Sequence, residues 1–305
     1  MSRLLPFHTM DVFTAEPFSG NPLAIVEDAD GLTTPQMQTI AREFNLSETL
    51  FVQTPADPAH TAKVRIFFPT DEIPFAGHPT IGCAIHLAKR QFAGKDDFEA
   101  AITLEEEAGL VPVRVESVGG VVTAQFTAPV VPAAHNGDAP SAELAAAALG
   151  LDETDIGFGS HVPGVHIGGP AFLYIPVASL AALGRAGPRE PHWSEMIAAA
   201  KVDSAYLYTP GGDGADYQAR MFSPTAGIPE DPATGSATAI LAAQLLRSDA
   251  IEEGTSRLCL LQGVEMGRRS ELGLEIDVAD STISAVRVSG SAVPIGSGNI
   301  RIPSV

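Results

Sequence analysis

Two titratable side chains stand directly before a proline at matching places in the chain. They are His78, in Phe75-Ala-Gly-His-Pro-Thr80, and Asp231, in Glu230-Asp-Pro-Ala-Thr-Gly-Ser236. Each is followed within five residues by a glycine and a small polar or thiol residue: Gly82-Cys83 in one case, Gly235-Ser236 in the other. Such pairs of imidazole and carboxylate are suited to moving protons. An aspartate before Pro is equally suited to capping a helix, and His78 to a cap or a buried hydrogen bond. Ser236, His78 and Asp231 have the types of a nucleophile set, but no G-x-S-x-G elbow occurs, so a binding or structural hydroxyl is preferred for Ser236. Glu48, in Ser47-Glu48-Thr49, precedes an apolar run and by pattern alone reads as a solvated loop residue. Gly77, Gly82 and Gly235 would let backbone approach a ligand closely.

Other chemistries are poorly supported. The sequence has no H-E-x-x-H, no Walker A motif and no G-x-G-x-x-G after a strand, so neither metal nor cofactor is expected. His161 and His166 flank Pro163-Gly164 in an apparent loop and lack thiol or carboxylate partners in sequence. Cys83 and Cys259 fit no disulfide framework or metal spacing, and read as reduced thiols of a cytoplasmic protein. The start of the chain has no secretory h-region, and no run of about 18 apolar residues exists.

The elements that must carry these residues follow from periodicity. Pro79–Arg90 and Pro232–Leu246 are apolar nearly all round, which marks core helices that strands must surround. Thr34-Pro35 reads as an N-cap followed by Pro, with Met37, Ile40, Ala41 and Phe44 on one buried face. Ser141–Leu149 reads as an alanine-rich surface helix stopped by Gly150, and Trp193 as a packing residue. Short β-branched or aromatic runs recur between these helices, from Met10–Thr14 to Ala285–Val288. Gly211–Gly214 reads as a hairpin turn, and Asp155–Gly169 as a specificity loop.

The chain also repeats itself. Arg65-Ile-Phe-Phe-Pro-Thr70 matches Arg220-Met-Phe-Ser-Pro-Thr225, and the two Pro-containing signatures follow each. The expected architecture is therefore α+β: two similar domains, each a curved sheet or barrel around one apolar helix. The boundaries expected are 1–129 with the tail 286–305, and 130–285, joined near Pro129–Pro140. A site between duplicated domains, with two helix N-termini facing it, would hold a carboxylate.

The chain has 18 Lys+Arg against 37 Asp+Glu, a formal charge of −19, and a pI of about 4.6. That charge argues against binding nucleic acid or an anionic membrane. A small carboxylate-bearing molecule remains open as a partner because helix termini act locally.

Asp11-Val-Phe-Thr14 through Phe18-Ser-Gly-Asn-Pro22, Leu46-Ser-Glu-Thr49, the two Pro signatures, Gln262-Gly263 through Met266-Gly267, and Val288-Ser-Gly290 occur in this order along the chain. Together they resemble the PhzF (phenazine biosynthesis-like) family of the diaminopimelate epimerase fold superfamily. The resemblance implies a cofactor-independent isomerase or epimerase with Glu48 as general acid/base. It makes His78, Asp231 and Ser236 polar neighbours of that group, has Gly77 and Gly235 supply backbone contacts, and implies a homodimer. Cysteine-pair racemisation does not fit, because the corresponding positions hold Gly77-His78 and Asp231. The alternatives kept open are a hydrolase or lyase using the same cleft, and a non-catalytic binder of small molecules.

Overall fold

The computed structural model describes residues 4–304. Its chain divides into two units, Met1–Thr127 with Ser289–Val305, and Ala128–Val288.

The first unit begins with β1 (Leu4–Val12) and β2 (Asn21–Val26), then α1 (Thr34–Phe44), β3 (Glu48–Gln53), β4 (Ala62–Phe67) and the short β5 (Glu72–Ile73). It continues through α2 (Gly77–Gln91), β6 (Phe98–Glu106), β7 (Gly109–Val118) and β8 (Val121–Thr127). The last strand of the chain, β17 (Thr282–Arg301), returns to it. β17 pairs antiparallel with β1 from Leu4↔Arg301 to Val12↔Ala292, and also pairs with β8. The remaining pairings run β1–β2, β2–β3, β3–β4, β4–β6, β6–β7 and β7–β8, so eight strands close a ring. Closure removes the exposed edges that would otherwise invite aggregation.

Strict alternation sets which side chains face inward. Val111, Val113, Val115 and Ser117 of β7 are buried, as are Val122, Ala124 and Phe126 of β8. α2 fills the interior. It packs against β1, β2, β3, β6, β7 and β8, and every residue from Gly77 to Ile85 is buried. Gly82 belongs to this packing. A Cβ there would lie 2.6 Å from Leu23 Cδ2 and 2.8 Å from Val12 Cγ2, so its role is close helix–wall approach rather than the ligand contact expected. α1 lies on the outer side, burying Met37, Ile40 and Ala41 against Leu5, Val26, Phe51 and Phe67.

The second unit holds β9 (Ala133–Ala134), α3 (Ala142–Leu149), β10 (Gly164–Ile167), β11 (Ala171–Pro176), α4 (Leu180–Arg185) and α5 (His192–Ala200). After these come β12 (Ala205–Pro210), β13 (Tyr217–Ser223), β14 (Ile228–Asp231), α6 (Gly235–Arg247), β15 (Gly254–Gln262) and β16 (Ser270–Ala279). Its strand order is β9–β10–β11–β12–β13–β15–β16, parallel at β11–β12 and β13–β15. The first unit has the same sequence of connections: hairpin, helical crossover to a parallel strand, hairpin, then a short strand and core helix before the next parallel strand. The repeat seen in sequence is thus a repeat of topology. α6 takes the place of α2, packing on β9, β10, β11 and β16.

Several expectations need correction. α2 starts at Gly77 rather than Pro79, and α6 at Gly235 rather than Pro232. The cap of α1 is Thr33, locked by a capping box with Gln36, which moves Pro35 one position inward. α3 is not a surface helix; Ala145, Ala148 and Leu149 join a core with Trp193, Met196 and Ile197. α4 and α5 were not foreseen, because Gly184, Pro188 and Pro191 interrupt any helical period there. β10 lies inside the segment read as a loop, and buries His166. The Gly211–Gly214 turn joins β12 to β13 as expected. Among the described residues, no helix is long and apolar enough to cross a membrane.

Candidate active site

In the first unit the fold brings Glu48 and His78 together. Glu48 opens β3, held in register opposite Leu23 of β2. His78 is the second residue of α2. His78 Nδ1 lies 2.9 Å from Glu48 Oε2, with the side chains only 2% and 12% exposed. The contact is too oblique for a well-aligned hydrogen bond. Glu48 Oε2 is buried without a hydrogen-bond partner, and so, separately, is His78 Nε2 on the far side of the ring. Buried polar atoms left in that condition are costly and uncommon, and here they belong to an acid–base pair. Glu48 is not the solvated loop residue that its local pattern suggests.

The N-terminus of α2 is capped by no side chain, since the cap position is Ala76. Its first-turn N–H groups and dipole end form a positive patch beside His78 and Gly77.

A second carboxyl at this end of the barrel has no counterpart in the sequence reading. Glu106, the last residue of β6, points inward in phase with Ile102 and Leu104. Its Oε1 lies 2.7 Å from Thr80 Oγ1; the one Thr80 hydroxyl proton can go to the Ala76 carbonyl at 2.8 Å, leaving Oγ1 to accept from a protonated Glu106. Burial pushes the Glu106 carboxyl up to about 8, against the lowering effect of Thr80. It holds its proton at neutral pH. Its inward phase in a β6 pattern of alternating apolar residues was the available signal.

In the second unit, Asp231 is not a cap. It ends β14, is buried, and its Oδ2 accepts from Thr234 Oγ1 at 2.6 Å. Thr234 is the cap residue of α6, yet its hydroxyl is turned to Asp231 and caps nothing. Gln262, fully buried at the end of β15, fixes this segment. Its Nε2 donates to the Asp231 carbonyl at 2.8 Å and to Thr234 Oγ1 at 3.0 Å, and its Oε1 accepts from Thr234 N at 3.1 Å. Gly263 follows at φ +72°, where a Cβ would meet the Pro232 carbonyl oxygen at 2.7 Å. The Gln262-Gly263 pair thus has a physical role, that of holding the Asp231 loop. Gly235 and Ser236 open α6, Ser236 half-buried in its first turn.

Both units anchor the short strand that leads to these segments in the same way. Arg65 of β4 forms a fork with Glu72 of β5, at 2.6 and 2.5 Å. Arg220 of β13 forms one with Glu230 of β14, at 2.7 and 2.8 Å. Each guanidinium also lies over a phenylalanine two residues on, Phe67 or Phe222.

The thiols stand apart from this chemistry. Cys83 is buried inside α2, and burial pushes its thiol far up; Cys259 lies in β15, also raised by burial. Neither is an activated thiolate. His161 and His166 serve structure: His161 Nδ1 meets Tyr208 Oη at 2.9 Å, and His166 Nε2 meets Gln244 Oε1 at 2.8 Å.

Comparison with known proteins places the chain in a family. The family model described as phenazine biosynthesis-like protein matches residues 10–298. An uncharacterized isomerase of Mesorhizobium japonicum is 42% identical, over 96% of this chain and 97% of its own. The trans-2,3-dihydro-3-hydroxyanthranilate isomerase of Pseudomonas aeruginosa is 37% identical, over 95% and 96% respectively. Among solved structures, a phenazine biosynthesis protein of the PhzF family from Bacillus anthracis has a TM-score of 0.85 at 25% identity, covering 98% of this chain and 100% of that one. A hydroxyproline epimerase from Agrobacterium vitis shares the fold, with a TM-score of 0.64 at 13% identity, over 99% and 94%.

Proposed function

The chain belongs to the phenazine biosynthesis-like (PhzF) family of isomerases, and from that premise we propose that Glu48 relocates a carbon-bound proton on a small carboxylate-bearing substrate. The observation that carries this is the buried Glu48–His78 pair, with Glu48 Oε2 and His78 Nε2 left without hydrogen-bond partners. A buried carboxyl oxygen without a hydrogen-bond partner is placed to exchange a proton with a ligand that reaches it.

In the proposed reaction Glu48 Oε2 takes the proton from an sp³ carbon. The electron pair of that C–H bond moves into the adjacent unsaturated system, and Glu48, whose carboxyl proton can exchange with solvent, returns a proton to another carbon. Atoms and charge balance, with no group entering or leaving. His78 holds the carboxylate in place from its Nδ1 side. The uncapped N-terminus of α2, with Gly77, stabilises negative charge on the substrate and on the enolate-like intermediate. In the second unit, Asp231, held by Thr234 and Gln262, and Gly235 and Ser236 in the first turn of α6 are the further candidate site residues. No cofactor is required by this scheme.

The test is proton NMR in deuterated water, with trans-2,3-dihydro-3-hydroxyanthranilate and a panel of amino, hydroxy and dihydroaromatic acids. Exchange or isomerisation that Glu48→Gln reduces by about 10²–10⁴-fold is expected, with the melting temperature preserved. Turnover retained in Glu48→Gln removes Glu48 from the role. A product that gains solvent oxygen without carbon-bound deuterium would instead identify a hydrolase.

A further inference from the structure

At the other end of α2 a second cluster faces the barrel wall. His86 lies eight residues beyond His78, about 12 Å along the helix axis at 1.5 Å per residue. It meets His8 from β1 and Glu27, which directly follows β2. His86 Nε2 is 2.8 Å from Glu27 Oε1, and His8 Nε2 is 3.1 Å from the same oxygen. The imidazole rings lie 4.5 Å apart. All three ligand-type atoms fall within 4.8 Å of one another.

We propose that His8, Glu27 and His86 form a binding site for one first-row transition-metal ion, with Zn²⁺ the best match. Two imidazole nitrogens and one carboxylate oxygen are the donor set such ions select, whereas Ca²⁺ and Mg²⁺ favour oxygen alone. The spacing agrees. Ligands about 2.0–2.1 Å from one tetrahedral ion stand roughly 3.3 Å from each other, so the N···O separations of 2.8 and 3.1 Å need widen by only a few tenths of an ångström to admit it. Without an ion, two imidazoles must each place a proton on one carboxylate oxygen. An ion takes the Nε2 lone pairs instead: each neutral ring then carries its one proton on Nδ1, an imidazolium would release its second proton to solvent, and all three ligand atoms are satisfied at once.

The surroundings fit as well. Arg90 pairs with the other oxygen, Glu27 Oε2, orienting the carboxylate as outer partners of metal ligands do. Glu27 is further fixed by its N–H to the Pro6 carbonyl at 2.9 Å. The ligands sit on a strand, a strand end and a helix, which keeps their geometry rigid. His8 is 34% exposed, which leaves an entry path and room for a water as fourth ligand. At its distance from His78 the ion would tie α2 to the wall and take no part in proton transfer.

The experiment uses the full chain, stripped with a chelator and titrated with Co²⁺ as a spectroscopic stand-in for Zn²⁺ near neutral pH. One Co²⁺ per chain is expected, with visible d–d bands, displaced by Zn²⁺; Zn²⁺ should also raise the melting temperature. His8→Gln and Glu27→Gln should each weaken binding at least about 100-fold. His8→Gln is the safer variant because its side chain is partly exposed, and circular dichroism confirms its fold. His60→Gln, which alters a separate His60–Glu105 pair, should bind like the unmodified chain. Absence of saturable one-to-one binding, or a folded His8→Gln that binds as tightly as the parent, overturns the proposal.

Discussion

Glu106 shows how far a barrel interior can move a single group. Its carboxyl is raised from 4.5 to about 8 by burial, so the folded state binds a proton that the unfolded state has lost over that window. Folded stability then falls as pH rises from about 4.5 through about 8, by about 1.4 kcal/mol per unit of displaced pKa. Glu106→Gln keeps the shape and removes the titration. The variant should match the parent near pH 5 and exceed it increasingly toward pH 9 in denaturant midpoints. Parallel pH profiles for the two proteins would contradict the assignment. Glu48 illustrates the opposite limit of legibility. Its neighbours Ser47 and Thr49 say nothing of burial; pairing with β2 on one side and α2 on the other puts it against His78.

The two Arg–Glu forks allow a comparison at the scale of elements. Both brace a short strand against its neighbour, but Arg220 is buried and donates additionally to the Leu183 and Ala186 carbonyls, at 2.9 and 2.7 Å. Arg65 is more exposed and donates to the Thr34 hydroxyl at 2.8 Å. Removing one member of a buried pair leaves the other uncompensated. Arg220→Ala should therefore cost about 3–5 kcal/mol, and Arg65→Ala about 1 kcal/mol or less. Chemical denaturation of the two variants checks the order, and a larger cost for Arg65→Ala would refute it. Gly290 gives a second view of this scale. A Cβ there would lie 2.3 Å from Phe13 Cδ1, so the Val288-Ser-Gly290 segment makes room for a buried ring whose own φ is +63°.

At the scale of the whole molecule the chain end is part of the first fold. Residues 289–305 belong with Met1–Thr127, and β17 pairs with β1 over its full nine-residue length. Ending the chain at Val288 would open the eight-stranded ring and uncover an edge on β1. That deletion should abolish cooperative unfolding of the first unit and promote aggregation. A truncated chain that melts with the parent's amplitude and midpoint would show the ring to be dispensable. The −19 charge, meanwhile, acts at long range and does not oppose an anionic ligand held at an uncapped helix end, where peptide dipoles act within one turn.

The sequence alone determined the class of the fold and the segments that matter. Two all-round apolar helices required strands about them, and the repeated Arg-x-Phe-x-Pro-Thr and Pro signatures placed those helices in duplicated units. These features are local or periodic, and periodicity is what a linear string records. Only the tertiary structure decided which side chains meet. Glu48 and His78 are 30 residues apart, Thr80 and Glu106 are 26 apart, and His8 and His86 are 78 apart. Closure of a barrel around α2 creates each of these encounters, and it also sets the burial that leaves Glu48 unmatched and Glu106 protonated. The expectation of no metal rested on spacing along the chain, which cannot register the set proposed at His8, Glu27 and His86; a strand, a strand end and a helix bring those atoms within 4.8 Å of one another.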